Sequence, residues 1–300
     1  MRKSTPYVLT LPLIAAFLIF LLYPLYKVFM DSFYQASFLN PFYRKFVGLG
    51  NYKWLFTFKL FNPKMSYFLS AFWKSLVWVS GSVGIKVVLG VLGASLLNSR
   101  YLVGKKVYRT LVIIPWAIPW AMASMMWAWT LNSEFGVVNS ILMNLHIVNR
   151  PVTFLSYPTA AFLTTMVVDA WMGLPFMIIM ILSGLQTIPE SLYEAATIDG
   201  AGDVKKFFYI TIPMIKPVLL TVTLLSTVWT FNSFDIIWIL TQGGPMSATE
   251  TLPIAIYKVA FLMIRFGGIG KASAMTIFQV AVVTLISVFY IRTLRKGAEL

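Results

Sequence analysis

The groups best equipped for chemistry in this chain are polar residues set among aromatic ones inside long apolar runs. Asp169 opens the stretch Asp169-Ala170-Trp171-Met172-Gly173-Leu174-Pro175-Phe176. A carboxylate at the centre of a membrane-spanning helix costs about 3 kcal/mol on insertion scales, so such a residue needs a reason to be there. Gly173 and Pro175 loosen the helix, because proline removes a backbone donor and frees the carbonyl about four residues earlier. Broken helices of this kind are tolerated where they line a cavity rather than lipid. Aromatic faces beside a polar group suit a sugar ring, which is apolar on one face and hydroxylated at its edges. The alternative is a proline kink with Asp169 paired to a basic neighbour such as Lys86.

A second stretch repeats the pattern in Ser226-Thr227-Val228-Trp229-Thr230-Phe231-Asn232-Ser233-Phe234-Asp235. Ser226, Thr230 and Ser233 recur at helical spacing and form one polar stripe. They serve either as hydrogen-bonding glue between helices or, with Trp229 and Asn232, as the wall of a cavity. Lys86 is an isolated cation in a glycine-rich run with Gly81, Gly84, Gly90 and Gly93. It can snorkel or pair, and the sequence does not choose its partner. The glycines imply close helix packing.

Residues 189–212 are of another kind: polar, small and caught between two apolar runs. Lipid would leave the backbone and charge of this stretch unsatisfied, so it belongs at an aqueous surface. Pro189 suits the first turn of a helix, and Glu190 then sits at the positive end of its dipole. From Pro189 to Asp199 the helix would be about 16 Å long. Glu194 lies on it, Ala195 and Ala196 let another backbone approach closely, and Gly200 and Gly202 end it. Asp203 is placed to cap a second short helix through Tyr209. An ordinary amphipathic interfacial helix is the competing reading.

Other chemistry is excluded. The chain has no cysteine, so disulfides and thiolate metal sites are ruled out. Its one histidine, His146, reads as a surface residue rather than a metal ligand. Gly270-Lys271 is followed by Ala272, so the hydroxyl that a phosphate-binding loop uses to hold Mg²⁺ is missing. No catalytic constellation is present, and the chain is not expected to be an enzyme.

The elements that must position these groups are membrane spans. The 300 residues are 59% hydrophobic and only 11% charged, with a mean hydropathy of +0.79, against about 25% charged in a soluble domain. The fold expected is all-α: a single polytopic domain with six spans at about 7–28, 68–97, 108–131, 159–182, 213–240 and 272–291. The run 252–264 is apolar but short, and Lys258 and Arg265 make it an interfacial or re-entrant helix rather than a further span. The net charge of +14 is scattered over loops and span ends, where it meets headgroups and water, so no nucleic-acid partner is implied. Arg2, Lys3, Arg100, Lys105, Lys106, Arg109, Lys205, Lys206, Lys216, Arg292, Arg295 and Lys296 fall on one face. The positive-inside rule assigns that face, and with it both termini, to the cytoplasm. The opposite loop still holds Arg44, Lys45, Lys53, Lys59 and Lys64.

Glu194-Ala195-Ala196, Asp199-Gly200-Ala201 and Ile212-Pro213 together resemble the EAA signature of ABC importer permeases, with Ile212 where leucine is more usual. Phe234-Asp235 and Leu240-Thr241-Gln242-Gly243-Gly244-Pro245 resemble the first permease subunit of maltose-type carbohydrate importers. Arg109 to Pro115 and Gly50-Asn51-Tyr52 fit that subfamily as well. The resemblance covers nearly the whole chain. It implies a cytoplasmic-membrane importer with a second, similar permease subunit, two ATPase subunits that bind ATP and Mg²⁺, and an extracytoplasmic solute-binding protein. The chain itself would need no cofactor. By the same resemblance, sugar would be bound by Asp169, Met172, Gly173, Phe176, Ser226, Trp229, Thr230 and Asn232. The ATPase would grip Glu190, Glu194, Ala195, Ala196, Asp199 and Gly200. Cargo would pass by alternating access. A permease for glycerol-3-phosphate or another polyol is a variant of this reading. An ion-coupled secondary transporter using Asp169 is a separate one, although no clear internal repeat supports it.

Overall fold

The computed structural model describes residues 5–37, 40–60, 63–263 and 268–298. Arg2, Lys3 and Arg265, used above, lie outside them. The elements run in order α1 (Thr5–Phe17), a π turn (Leu18–Leu22), α2 (Tyr23–Asp31), β1 (Tyr34–Ser37), β2 (Asn40–Phe46), α3 (Gly50–Thr57), α4 (Tyr67–Asn98), α5 (Lys105–Ala117) and α6 (Trp120–Thr130). There follow α7 (Val137–Asn144), α8 (Pro158–Leu185), α9 (Glu190–Ile198), α10 (Asp203–Lys206), a π turn (Phe207–Thr211), α11 (Ile212–Phe231), α12 (Asp235–Thr241), α13 (Leu252–Tyr257), a π turn (Lys258–Leu262) and α14 (Ile269–Ala298).

Helices dominate because a backbone in lipid must satisfy its own hydrogen bonds. Among the described residues, Thr10–Asp31, Tyr67–Asn98, Pro158–Leu185, Asp203–Phe231 and Ile269–Leu294 are each long and apolar enough to cross a membrane. Two of the expected runs take a different helical course. The run 108–131 is not one helix: α5 and α6 meet at a 94° bend. Pro119 forces the preceding Ile118 into an extended conformation, ψ 130°, and Pro115 has already removed a donor from the last turn of α5.

The run 213–240 is also redrawn. Its helix starts ten residues earlier, at Asp203, and stops at Phe231. The short helix expected through Tyr209 is therefore the foot of this one. Gly202, not Asp203, occupies its cap position, with ψ 166°. Continuity through Pro213 is possible because the π turn lets Ile212 N–H reach back to Phe207 O, which widens the backbone where the proline ring would clash. The π turn at Leu18–Leu22 stands in the same relation to Pro24. At the far end, Asn232 Nδ2 donates to Val228 O at 2.8 Å, and this local bond competes with continuation of the helix. Residues 235–241 form the separate α12.

The chain divides into two compact units, residues 1–72 with 255–282 and residues 73–254 with 283–300. The first holds the one departure from an all-helical fold among the described residues, a two-stranded antiparallel hairpin. Tyr34 pairs with Phe46 and Gln35 with Lys45. Asn51 fastens the hairpin to α3 by donating to Ser32 O at 2.8 Å and Tyr34 O at 2.9 Å, which gives Gly50-Asn51-Tyr52 a structural purpose. Phe68 and Phe278 close the core of this unit edge to face, 4.9 Å apart. Gly270-Lys271 is structural here: a Cβ on Gly270 would collide with Tyr34 O, and Lys271 Nζ lies 4.8 Å over the Trp54 ring.

The second unit is organised around α8. Val91, Ala94 and Leu97 of α4 meet Met177, Ile178, Ile181, Leu182 and Leu185 of α8, and Ile215 and Val222 of α11 complete the cluster. Lipid is as apolar as leucine, so close packing rather than escape from water holds such helices together. The α4 glycines provide it. A Cβ on Gly90 would sit 2.4 Å from Met177 Cγ, and one on Gly93 2.8 Å from Ile178 Cδ1. Gly84 is the exception, with nothing within 4 Å.

Candidate functional site

Three polar sites occupy the second unit. The deepest joins α4, α8 and α11. Lys86 Nζ lies 2.5 Å from Asp169 Oδ2 and donates to Thr230 Oγ1 at 2.8 Å. Ser82 donates to the same carboxylate oxygen. Lys86 is 1% exposed and Asp169 fully buried. Gly173 makes room for the lysine: a Cβ there would stand 2.8 Å from Lys86 Cε. The pairing left open by the sequence is therefore made: each charge faces its opposite, while Asp169 Oδ1 has no hydrogen-bond partner among the described residues.

The second site is an open cleft of about 510 Å³ lined by Trp116, Trp120, Val228, Trp229, Asn232, Ser233, Phe234 and Asp235. The breaks described above create it. The bend between α5 and α6 places Trp116 and Trp120 on its wall, and the interruption at 232–234 ends α11 on its rim. Phe176 of α8 backs it, 4.9 Å from the Trp229 ring and 6.1 Å from Trp116. The result is an aromatic platform edged by an amide, a hydroxyl and a carboxylate.

Of the residues expected to bind sugar, Trp229 and Asn232 line this cleft and Phe176 supports it. The others are placed elsewhere. Asp169 and Thr230 are engaged with Lys86, and Gly173 accommodates that lysine. Ser226 is buried, and Met172 packs with Ala123, Leu131, Val168, Ile236 and Leu240. The expectation followed one face of each helix, but the face carrying Asp169 turns toward α4. Trp116, Trp120 and Asp235 line the cleft as well; the sequence reading quoted Asp235 only within a motif and singled out neither tryptophan. The signal was present in two prolines, Pro115 and Pro119, spaced to break a span between two tryptophans. Glu250, 1% exposed, is a second buried acid that the sequence reading did not single out.

The third site is the loop from Pro189 to Thr211. Pro189 is the N-cap, and α9 starts at Glu190. Its C-terminus is a Schellman motif: Ala201 N–H donates to Ala196 O at 2.8 Å and Gly200 N–H to Thr197 O at 3.1 Å. Gly200 takes φ +76°, which only glycine adopts without strain. Glu190, Glu194, Ala195, Asp199 and Gly200 are exposed and Ala196 is half-buried. Tyr193 turns inward, its hydroxyl 2.9 Å from Thr211 Oγ1. Ile188, Phe207 and Ile212 pack on the α4–α8–α11 cluster. The loop thus presents an acidic outer face on a foot seated in the spans. Between this foot and the end of α4 lies a second cleft of about 510 Å³ of mixed charge, lined by Arg100, Glu190, Glu194, Asp203 and Lys206 among others.

Residues 86–296 match the family described as binding-protein-dependent transport system inner membrane component. The chain is 35% identical over 286 residues to the trehalose/maltose transport system permease protein MalF of Thermococcus litoralis, covering 95% of this chain and 92% of that protein. It is 32% identical over 289 residues to the sn-glycerol-3-phosphate transport system permease protein UgpA of Yersinia enterocolitica, covering 94% and 92%. Its fold is similar to a chain of a bacterial ABC transporter involved in the import of the acidic polysaccharide alginate, with a TM-score of 0.81 and 24% identity over 98% of this chain and 96% of that one.

Proposed function

This chain belongs to the binding-protein-dependent transport system inner membrane components, and from that premise we propose that it is one permease subunit of an ATP-driven sugar importer. It is a multi-pass transport component of the inner membrane, not an enzyme. A second permease subunit lies beside it, two ATPase subunits bind ATP and Mg²⁺ on its behalf, and an extracytoplasmic solute-binding protein delivers cargo. Both termini and the loop 189–212 lie in the cytoplasm.

The observation that carries this reading is the build of that loop. A helix exposed on its outer face and seated by Ile188, Phe207 and Ile212 in the core of the spans can pass a partner's rigid-body movement inward. Glu190, Glu194, Ala195, Ala196, Asp199 and Gly200 form the surface that the ATPase grips. Trp229 and Asn232 contact the sugar, stacking on its apolar face and bonding its hydroxyl edge. Closing of the ATPases draws the paired loops together and opens the cleft outward, and hydrolysis reverses the motion.

The chain has no native cysteine, so Ala195→Cys creates a unique thiol for the test. In the assembled complex it should cross-link to the ATPase. A membrane-impermeant maleimide should reach it in inside-out vesicles and not in intact cells. Labelling from the outside, or cross-links that never include an ATPase, would overturn the reading.

A further inference from the structure

The relatives leave the charge of the cargo open, since their names include both a neutral sugar, trehalose/maltose, and an anion, glycerol-3-phosphate. The cleft itself speaks to this point. Resting on its assignment as the cargo site, we infer that it takes neutral or amino-bearing saccharides and rejects anionic ones, with Asp235 as the residue that sets the sign.

Among the described residues the lining holds one charged group, the exposed Asp235, and neither lysine nor arginine. A phosphate, sulfonate or uronate leaving water needs a cation or a set of free backbone N–H groups to replace its hydration. Neither is on offer. Lys86 bonds Thr230, the residue after Trp229. Its ammonium is buried and committed to Asp169, so the pair adds no net positive charge to the cleft. The other source would be a helix N-terminus. The helix that starts at the cleft is α12, and its first residue is Asp235 itself. That carboxylate already sits where the dipole would favour an anion, and it repels a second one. An uncharged saccharide meets no such penalty: its C–H face lies on Trp116, Trp120 or Trp229, and its hydroxyls meet Asn232, Ser233 and Asp235. An ammonium on an amino sugar is attracted by both the carboxylate and the indole faces.

The test uses the purified complex of both permeases and both ATPases, reading tryptophan fluorescence as saccharides are titrated, with Trp229→Phe as the control for signal from the cleft. The probes are maltose, trehalose and cellobiose as neutral disaccharides, chitosan disaccharide as the amino sugar, and phosphorylated and uronic-acid disaccharides as anions. The expected result is that at least one neutral or amino disaccharide binds a hundredfold or more tighter than any anionic one. In Asp235→Asn this ratio should fall at least tenfold, while Asp235→Glu, which keeps the charge, preserves it. Anionic disaccharides that bind as well as neutral ones, or a ratio untouched by Asp235→Asn, would overturn the inference while leaving the cleft a sugar site. If no saccharide of any charge gives a signal that depends on Trp229, the assignment of the cleft fails and the inference falls with it.

Discussion

Lys86 Nζ and Asp169 Oδ2 lie 2.5 Å apart with side chains only 2% and 0% exposed, and the lysine continues to Thr230 of a third helix. Removing one member strands the other charge, which costs about 3–5 kcal/mol, whereas replacing both with apolar residues is often neutral. Lys86→Met and Asp169→Asn should each lower the thermal midpoint and yield of the purified complex. The double variant Lys86→Met/Asp169→Leu should recover most of the loss. Single variants as stable as the parent would show that the pair does not hold the three helices together.

Trp229 lines the cleft and lies 4.9 Å from the Phe176 ring. Trp229→Ala should raise the KM for sugar uptake at least tenfold, or about 1.4 kcal/mol, while the complex still assembles. Uptake kinetics in proteoliposomes decide it, and an unchanged KM removes the ring from the cargo path.

Glu194 is exposed on α9, where it lines the mixed-charge cleft with Arg100 and Lys206. Reversing its charge with Glu194→Lys should leave assembly in the membrane intact and abolish the rise in ATP hydrolysis that loaded binding protein evokes. Normal ATP-driven uptake in that variant would defeat the docking role.

Two glycines on one helix make opposite predictions. Gly90→Ala would press a methyl group to within 2.4 Å of Met177 Cγ, and overpacking of that kind costs about 1–3 kcal/mol. Gly84→Ala meets nothing within 4 Å and should stabilise the helix by up to about 1 kcal/mol through propensity alone. Thermal unfolding of the two variants in detergent should move in opposite directions. Equal effects would mean that close approach of α4 to α8 is not what the glycines provide.

The spans were legible because twenty or so apolar residues have few other destinations. The loop was legible because a polar stretch between two such runs can only reach water. Gly200 at a positive φ and the acidic start of α9 follow from local rules that tertiary structure does not disturb. The cleft was harder to see. Proline positions show that a helix breaks, but not in which direction its halves depart, so Trp116 and Trp120 were not singled out within the run 108–131. The helical face is ambiguous as well: Thr230 and Asp169 both engage Lys86 and Ser226 is buried, and periodicity alone cannot separate a stripe facing a partner from one facing a cavity. The hairpin at 34–46 escaped for a related reason, since the Asn51 bonds that tie it to α3 come from beyond its own strands.

One helix, Asp203–Phe231, spans 29 residues, about 43 Å at 1.5 Å per residue. It leaves the loop at its foot and ends at the rim where Trp229 stands. On the proposed reading, the loop that the ATPase grips is joined to the foot of this helix and the cargo cleft stands at its far end, so the phase between them is set by counting residues, about 100° for each. One extra alanine spliced midway would leave both ends chemically whole yet point the indole a quarter-turn away. On that reading, the length of this helical shaft matters to transport as much as any side chain upon it.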